Sequence, residues 1–296
     1  MSDCKQWYVA LRITRRSMPA LANPRTAVVT LVATPLLEVV LLLVIALRLR
    51  VPETIIVTDA SLVVTTITTM TGGITAAVVR DRAQGILAHI MATAPLHLRY
   101  WVSKFVPLAG IVTTTNLIVA TTVLVADPHH DLQLYALTLA GIGVAAVTSV
   151  GVTMVCAAGT IVLHDPFRLA NIVTAVVPLS AGVLLPHTAY PAGIREVCEV
   201  LPGTWLVAAL RENAPVLMLV ECGVSALWLV LGLALLMVLA MLVWTGILPF
   251  PFKQKFSEAP DPNKVITPCI SSDAKATELN TITVKVFNST NRTGLA

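Results

Sequence analysis

The stretch Arg80-Asp-Arg-Ala-Gln-Gly-Ile-Leu-Ala-His-Ile-Met-Ala-Thr-Ala-Pro95 decides the fold, because it places charge and amphipathic character between two runs apolar enough to span a membrane. Arg80, Asp81 and Arg82 end the run Ser61–Val79 abruptly, and a second run follows from Phe105 to Ala126. Between them Ile86, Leu87, Ile90 and Met91 fall at i, i+1, i+4 and i+5, which gathers them on one face of a helix. Pro95 closes that helix, since a proline pushes the residue before it out of the α region. The reading is a short amphipathic helix held at the membrane surface.

Outward from this point the chain is apolar throughout. Of its 296 residues 56% are hydrophobic and 12% charged, against about 25% charged in ordinary globular domains, and mean hydropathy is +0.83. This excludes a soluble protein. Runs of about 20 apolar residues cross the ~30 Å hydrocarbon layer as helices. Six are expected: Thr26–Leu47, Ser61–Val79, Phe105–Ala126, Tyr135–Val162, Leu169–Leu185 and Pro215–Leu248. The runs are continuous rather than alternating, which disfavours a β-barrel. The first is too long for a signal-peptide core and is read as a retained span.

Lysine and arginine set the orientation. Lys5, Arg12, Arg15, Arg16, Arg25, Arg80, Arg82, Arg99, Lys104, Arg168, Lys253 and Lys255 fall on one side, and Arg48, Arg50, Arg195 and Arg211 on the other. The expectation is a multi-pass protein of the cell membrane with both termini in the cytoplasm. The net charge of +4 is accounted for by this asymmetry, so no nucleic-acid partner is called for.

Residues 1–25 mix five basic residues with Trp7, Tyr8, Val9, Leu11 and Ile13, the composition of an interfacial helix. Loops on the far side are short. His129 and His130, beside Asp127 and Asp131, fit a solvated turn and have no further metal ligand at helical spacing. Ile194, Val197, Cys198 and Leu201 then recur at i, i+3, i+4 and i+7, with Arg195 and Glu199 paired on the other face. Pro202-Gly203 turns the chain into a second short helix, Trp205–Glu212. Such re-entrant backbone is tolerated where protein or water satisfies it, and it reads as an outer gate.

The five cysteines show no metal-site spacing; a disulfide between Cys198 and Cys222 and two ordinary small apolar residues both remain open. After Leu248 the composition turns to Pro, Lys, Asp, Ser and Thr, a disordered tail over 249–296 with one alternating stretch, Ile282-Thr-Val-Lys-Val-Phe287. The sequons at Asn288 and Asn291 carry no meaning on a cytoplasmic tail.

Three stretches, in order, resemble the type-2 ABC exporter permeases over roughly residues 15–248. Asn23-Pro-Arg25 is similar to that family's opening segment. Arg80-Asp-Arg-Ala-Gln-Gly85 through Ala94-Pro95 is similar to its coupling segment, with Lys104 at the usual start of the third span. Pro178-Leu-Ser-Ala-Gly182 through Pro186 to Leu201-Pro202 and Leu210-Arg211 is similar to its outer-face pattern, from which Gly203-Thr204 departs. The tail from Ile282 resembles the opening strand of the C-terminal domain of LytR-type cell-wall proteins.

The resemblance implies an all-α polytopic permease of six transmembrane helices over 26–248, with an interfacial helix, a cytoplasmic coupling helix and re-entrant outer helices before the last span. It implies a second permease copy, homo- or heterodimeric, and a separate ABC ATPase that binds ATP and Mg. This chain holds no cofactor in that reading. Its own residues agree, because the phosphate loop G-x-x-x-x-G-K-[ST] is absent. Coupling to the ATPase then falls to Arg80, Asp81, Arg82, Gly85, Leu87 and Pro95, and the outer gate to Pro186, Ile194, Leu201, Pro202 and Trp205. Gly85 is read as permitting close approach of another backbone.

For a translocation path the candidates are Glu38, a carboxylate inside the first span, and the stripe Thr65, Thr68, Thr69, Gly72 and Thr75, joined by Asn116. For the threonines helix packing is the preferred reading, while for Glu38 an interhelical hydrogen bond and a substrate contact stand level. The substrate implied is an amphiphile of the drug, lipid or glycan-lipid class. An ion-driven carrier would need buried charge pairs and inverted repeats, and a membrane-embedded lipid-modifying enzyme would need a cluster of reactive side chains at one leaflet.

Overall fold

The computed structural model describes residues 24–29, 54–93, 96–126 and 131–245, with isolated positions between 33 and 48. Among them every regular element is helical: α1 Pro24–Val28, α2 Thr54–Ala83, α3 Ile86–Thr93, α4 Leu98–Ala126, α5 Leu132–Val162, α6 Arg168–Ser180, a 3-10 turn His187–Ala189, α7 Ala192–Val200, α8 Thr204–Arg211 and α9 Val216–Trp244. The interfacial helix before Pro24, most of the first expected span, Glu38, Pro95, His129, His130 and the tail lie outside the described residues.

Among the described residues four helices, α2, α4, α5 and α9, are long and apolar enough to cross a membrane. α2, α4 and α5 extend past the expected runs because residues flanking each apolar stretch continue the helix, whereas α9, Val216–Trp244, lies inside its expected run Pro215–Leu248. α2 begins seven residues before Ser61 and carries Arg80–Arg82 as its own last turn. The fifth expected span, Leu169–Leu185, is not among them. Its helix stops at Ser180 after 13 residues, about 20 Å at 1.5 Å per residue and short of the ~30 Å layer. Gly182 then takes φ +77°, a conformation glycine adopts freely, and turns the chain back.

α2 and α5 form the centre. The apolar window of α2 is 72% buried, while that of α9 is 17% buried, which makes α2 a core helix and leaves most of α9's surface on the rim. α5 lies between them, packed on α2 by one face and on α9 by another. Two apolar clusters stack along this axis. One gathers Leu62, Val63 and Ile67 of α2, Ile142 of α5, Val177 of α6 and Leu206 and Leu210 of α8. The other gathers Met70, Ile74 and Val78 of α2, Leu87 and Met91 of α3, Trp101 and Phe105 of α4 and Leu236 of α9. The bundle therefore has an α8 end and an α3 end.

Candidate functional site

At the α3 end the last turn of α2 carries Arg80, Asp81 and Arg82. Asp81 and Arg82 are buried and Arg80 is half-buried. Asp81 forms an ion pair with Lys104 of α4 at 2.7 Å, and the Tyr100 hydroxyl donates to the same carboxylate oxygen at 2.8 Å. The Lys104 ammonium also lies 5.3 Å from the centroid of the Tyr100 ring, within cation–π range. Arg82 reaches the other way. Its guanidinium donates to the carbonyls of Thr160 and Leu163 at the C-terminus of α5, where helix geometry leaves carbonyls without intrahelical partners and the macrodipole favours a cation.

These residues were expected to form a docking surface. The fold turns Asp81 and Arg82 inward, because Lys104 and the α5 carbonyls offer partners that a buried charge requires, and leaves Arg80 half-buried. What remains outside is the turn and the outer face of α3. Gln84, Gly85, Ile86 and His89 are exposed, whereas Leu87 is fully buried among Ile74, Val78 and Trp101.

Gly85 has φ +75° and donates its N–H to the Arg82 carbonyl at 3.1 Å, closing α2 with a left-handed residue. A Cβ placed there meets nothing within 4 Å. Within the chain it is the backbone conformation, not crowding, that asks for glycine. Gly85→Ala should therefore cost about 1–2 kcal/mol, the penalty of a Cβ in left-handed helical geometry, and Gly85→Asn distinctly less. Thermal midpoints of the two purified variants check the order.

The α8 end is organised by a carboxylate absent from the residues expected to carry function. Glu221 of α9 has no exposed surface, and its Oε1 accepts from the Gly203 N–H at 2.8 Å. Gly203, at φ +95°, is the N-cap of α8 and supplies no side chain. Glu221 thus caps α8 from a different helix, accepting from the N–H of its N-cap residue at the positive end of its dipole. Below it the Thr148 and Ser225 hydroxyls lie 2.6 Å apart, tying α5 to α9. The only sequence signal for this knot is a single acid in a long apolar run.

The expected gate residues sit around the same knot but do not form one cluster. Pro202 is buried, Leu201 and Trp205 are half-buried, and Pro186 and Ile194 are exposed. The Trp205 indole donates to the Glu199 carbonyl at 2.9 Å and the Trp228 indole to that of Val200 at 2.9 Å. Together they hold the C-terminal turn of α7 against α8 and α9. α7 presents Ile194, Val197 and Val200 outward and Cys198 inward, with Arg195 and Glu199 paired at 2.9 Å. Cys198 and Cys222 are free thiols.

The threonine stripe faces protein. Thr65, Thr68 and Thr75 are buried, and Thr69 and Gly72 are half-buried. Asn116 is also buried, and its amide donates to the Thr66 hydroxyl at 2.7 Å and to the Leu62 carbonyl at 3.3 Å. These contacts join α2 to α4 at mid-bundle.

Residues 9–214, more than half of the chain, match the family model described as ABC-2 type transporter. No curated protein and no solved structure matches.

Proposed function

The chain belongs to the ABC-2 type transporter family, and from that premise we propose that it exports an amphiphile out of the cytoplasm. It is a multi-pass membrane permease subunit of an ABC transporter and works with an ATPase subunit. In the proposed arrangement the α3 end faces the cytoplasm, as do both termini. The positive-inside rule supports this, since Arg80, Arg82, Arg99, Lys104 and Arg168 gather at the α3 end and Arg195 and Arg211 at the other.

One observation carries the coupling reading. An exposed turn and helix face, Gln84–His89, sits directly on the buried ends of the spans. The ATPase docks there, on Gln84, Gly85, Ile86 and His89, and binds the ATP and Mg whose hydrolysis drives transport. Two permease copies enclose the path, and α9, mostly unburied in a single chain, is available to a second copy or to lipid. The amphiphile belongs to the drug, lipid or glycan-lipid class. Thr69 and Gly72, the members of the stripe that keep some exposed surface, suit an uncharged or weakly polar path.

A photo-crosslinking residue at Ile86 in the full-length chain tests the docking surface in cells. It is expected to capture an ATP-hydrolysing partner identifiable by mass spectrometry, at least tenfold more than the same residue at Leu87, which is buried. Equal capture at both positions, or capture of no ATPase at Ile86, would overturn the reading.

A further inference from the structure

α3 touches the rest of the chain mainly through apolar contacts. Leu87 and Met91 pack among Met70, Ile74, Val78 and Trp101, and such contact is non-directional. Apolar packing alone would let a pushed helix slide. Two residues before α3, however, the end of α2 is fastened by directional bonds to two other spans at one level. Asp81 meets Lys104 at 2.7 Å and the Tyr100 hydroxyl at 2.8 Å, both on α4. Arg82 meets the Thr160 and Leu163 carbonyls of α5. All of Asp81, Arg82 and Lys104 are buried, so solvent does not screen the charges. The Ser103 hydroxyl adds a bond to the Tyr100 carbonyl at 2.8 Å, which further fixes the first turns of α4.

We propose that Asp81, Arg82, Tyr100 and Lys104 form a rigid three-helix joint that makes α3 move as one body with α2, α4 and α5. They are positioning residues and touch neither the ATPase nor the substrate. A load on the exposed face of α3 passes through Gln84-Gly85 to the end of α2, and from there to α4 through the ion pair and to α5 through the guanidinium. The two spans are engaged by opposite charges, so the joint resists displacement in both directions. This rests on the docking reading only for the source of the load, since the joint itself is internal to the chain.

The test uses the purified full-length protein in lipid nanodiscs without any ATPase, so it can fail while the docking reading stands. In a background freed of its cysteines, spin labels at His89 of α3 and Val125 of α4, which is exposed, report the link that Lys104 makes. Labels at Leu132 of α5 and Trp244 of α9 report the bundle without α3. Pulsed electron–electron spectroscopy should give a His89–Val125 distance distribution at least twofold wider in Lys104→Met than in the parent, with the Leu132–Trp244 distribution unchanged. Tyr100→Phe, which removes one hydroxyl and keeps the ion pair, should widen the first distribution by a smaller amount.

The double variant Asp81→Asn/Lys104→Met separates positioning from the harm of an unpaired buried charge. With a joint its His89–Val125 distribution stays wide although its thermal midpoint recovers. A narrow distribution in the double variant overturns the proposal, as does equal widening of both label pairs in Lys104→Met. If Lys104→Met does not fold, Tyr100→Phe and the double variant decide by the same criteria.

Discussion

Arg82→Glu is expected to remove folded protein from the membrane. Arg82 is 6% exposed, and its guanidinium satisfies the Thr160 and Leu163 carbonyls at the buried end of α5. A carboxylate there faces carbonyl oxygens and the negative end of the α5 dipole, beside Asp81, which already bears a negative charge. Breaking a buried charged contact costs about 3–5 kcal/mol, a large part of a total stability of roughly 5–15 kcal/mol. On the sequence alone the same change would be read as harmless to insertion, because Arg82 closes an apolar run and looks like a surface anchor. Size-exclusion profiles of fluorescently tagged protein measure the outcome. A monodisperse Arg82→Glu peak at parental height would mean that the guanidinium contributes little to the bundle.

Gly151→Leu should be comparably damaging, for a reason of shape. α5 and α9 make the most extensive helix contact in the bundle, and glycines on both sides allow it. A Cβ at Gly151 would lie 2.7 Å from the Leu229 nitrogen and 2.9 Å from the Ser225 carbonyl oxygen of α9. One at Gly232 would lie 2.6 Å from the Met154 Cβ and 3.0 Å from the Val155 nitrogen. Because much of what these carbons meet is backbone, no rotamer change relieves the contact and the helices must separate. Overpacking typically costs 1–3 kcal/mol, about the upper end or beyond when the obstacle cannot move. Separation would also pull Thr148 from Ser225 and loosen the Glu221 cap on α8. Gly143→Leu is the control on the same helix, since a Cβ there meets nothing within 4 Å. The measurement is yield and thermal midpoint of both variants; similar values for the two would show that close approach is not what holds α5 to α9.

The spans were legible because an uninterrupted apolar run is a local property. Any sequence window over α2, α4, α5 or α9 shows that its backbone can be satisfied only by a helix inside hydrocarbon. The same window misjudged Leu169–Leu185, where apolar residues continue past a turn at Gly182 that run length does not register. The amphipathic spacing of α3 and α7 was equally plain. What each face meets was not, since Leu87 looks like any exposed apolar residue until α2 and α4 close over it.

The sequence by itself determined that this is a helical membrane protein, that α2, α4, α5 and α9 are apolar enough to cross, and, through the order of its charged and proline-containing segments, its resemblance to a family of permeases. Only the tertiary structure decided which charges are surface and which are joints. Asp81 finds Lys104 after an intervening turn and helix, Arg82 finds Thr160 across an intervening span, and Glu221 finds the N-terminus of α8 by folding back. The physical reason is that hydropathy and periodicity are summed over neighbours in the chain, whereas a buried charge survives on partners that are neighbours only in space.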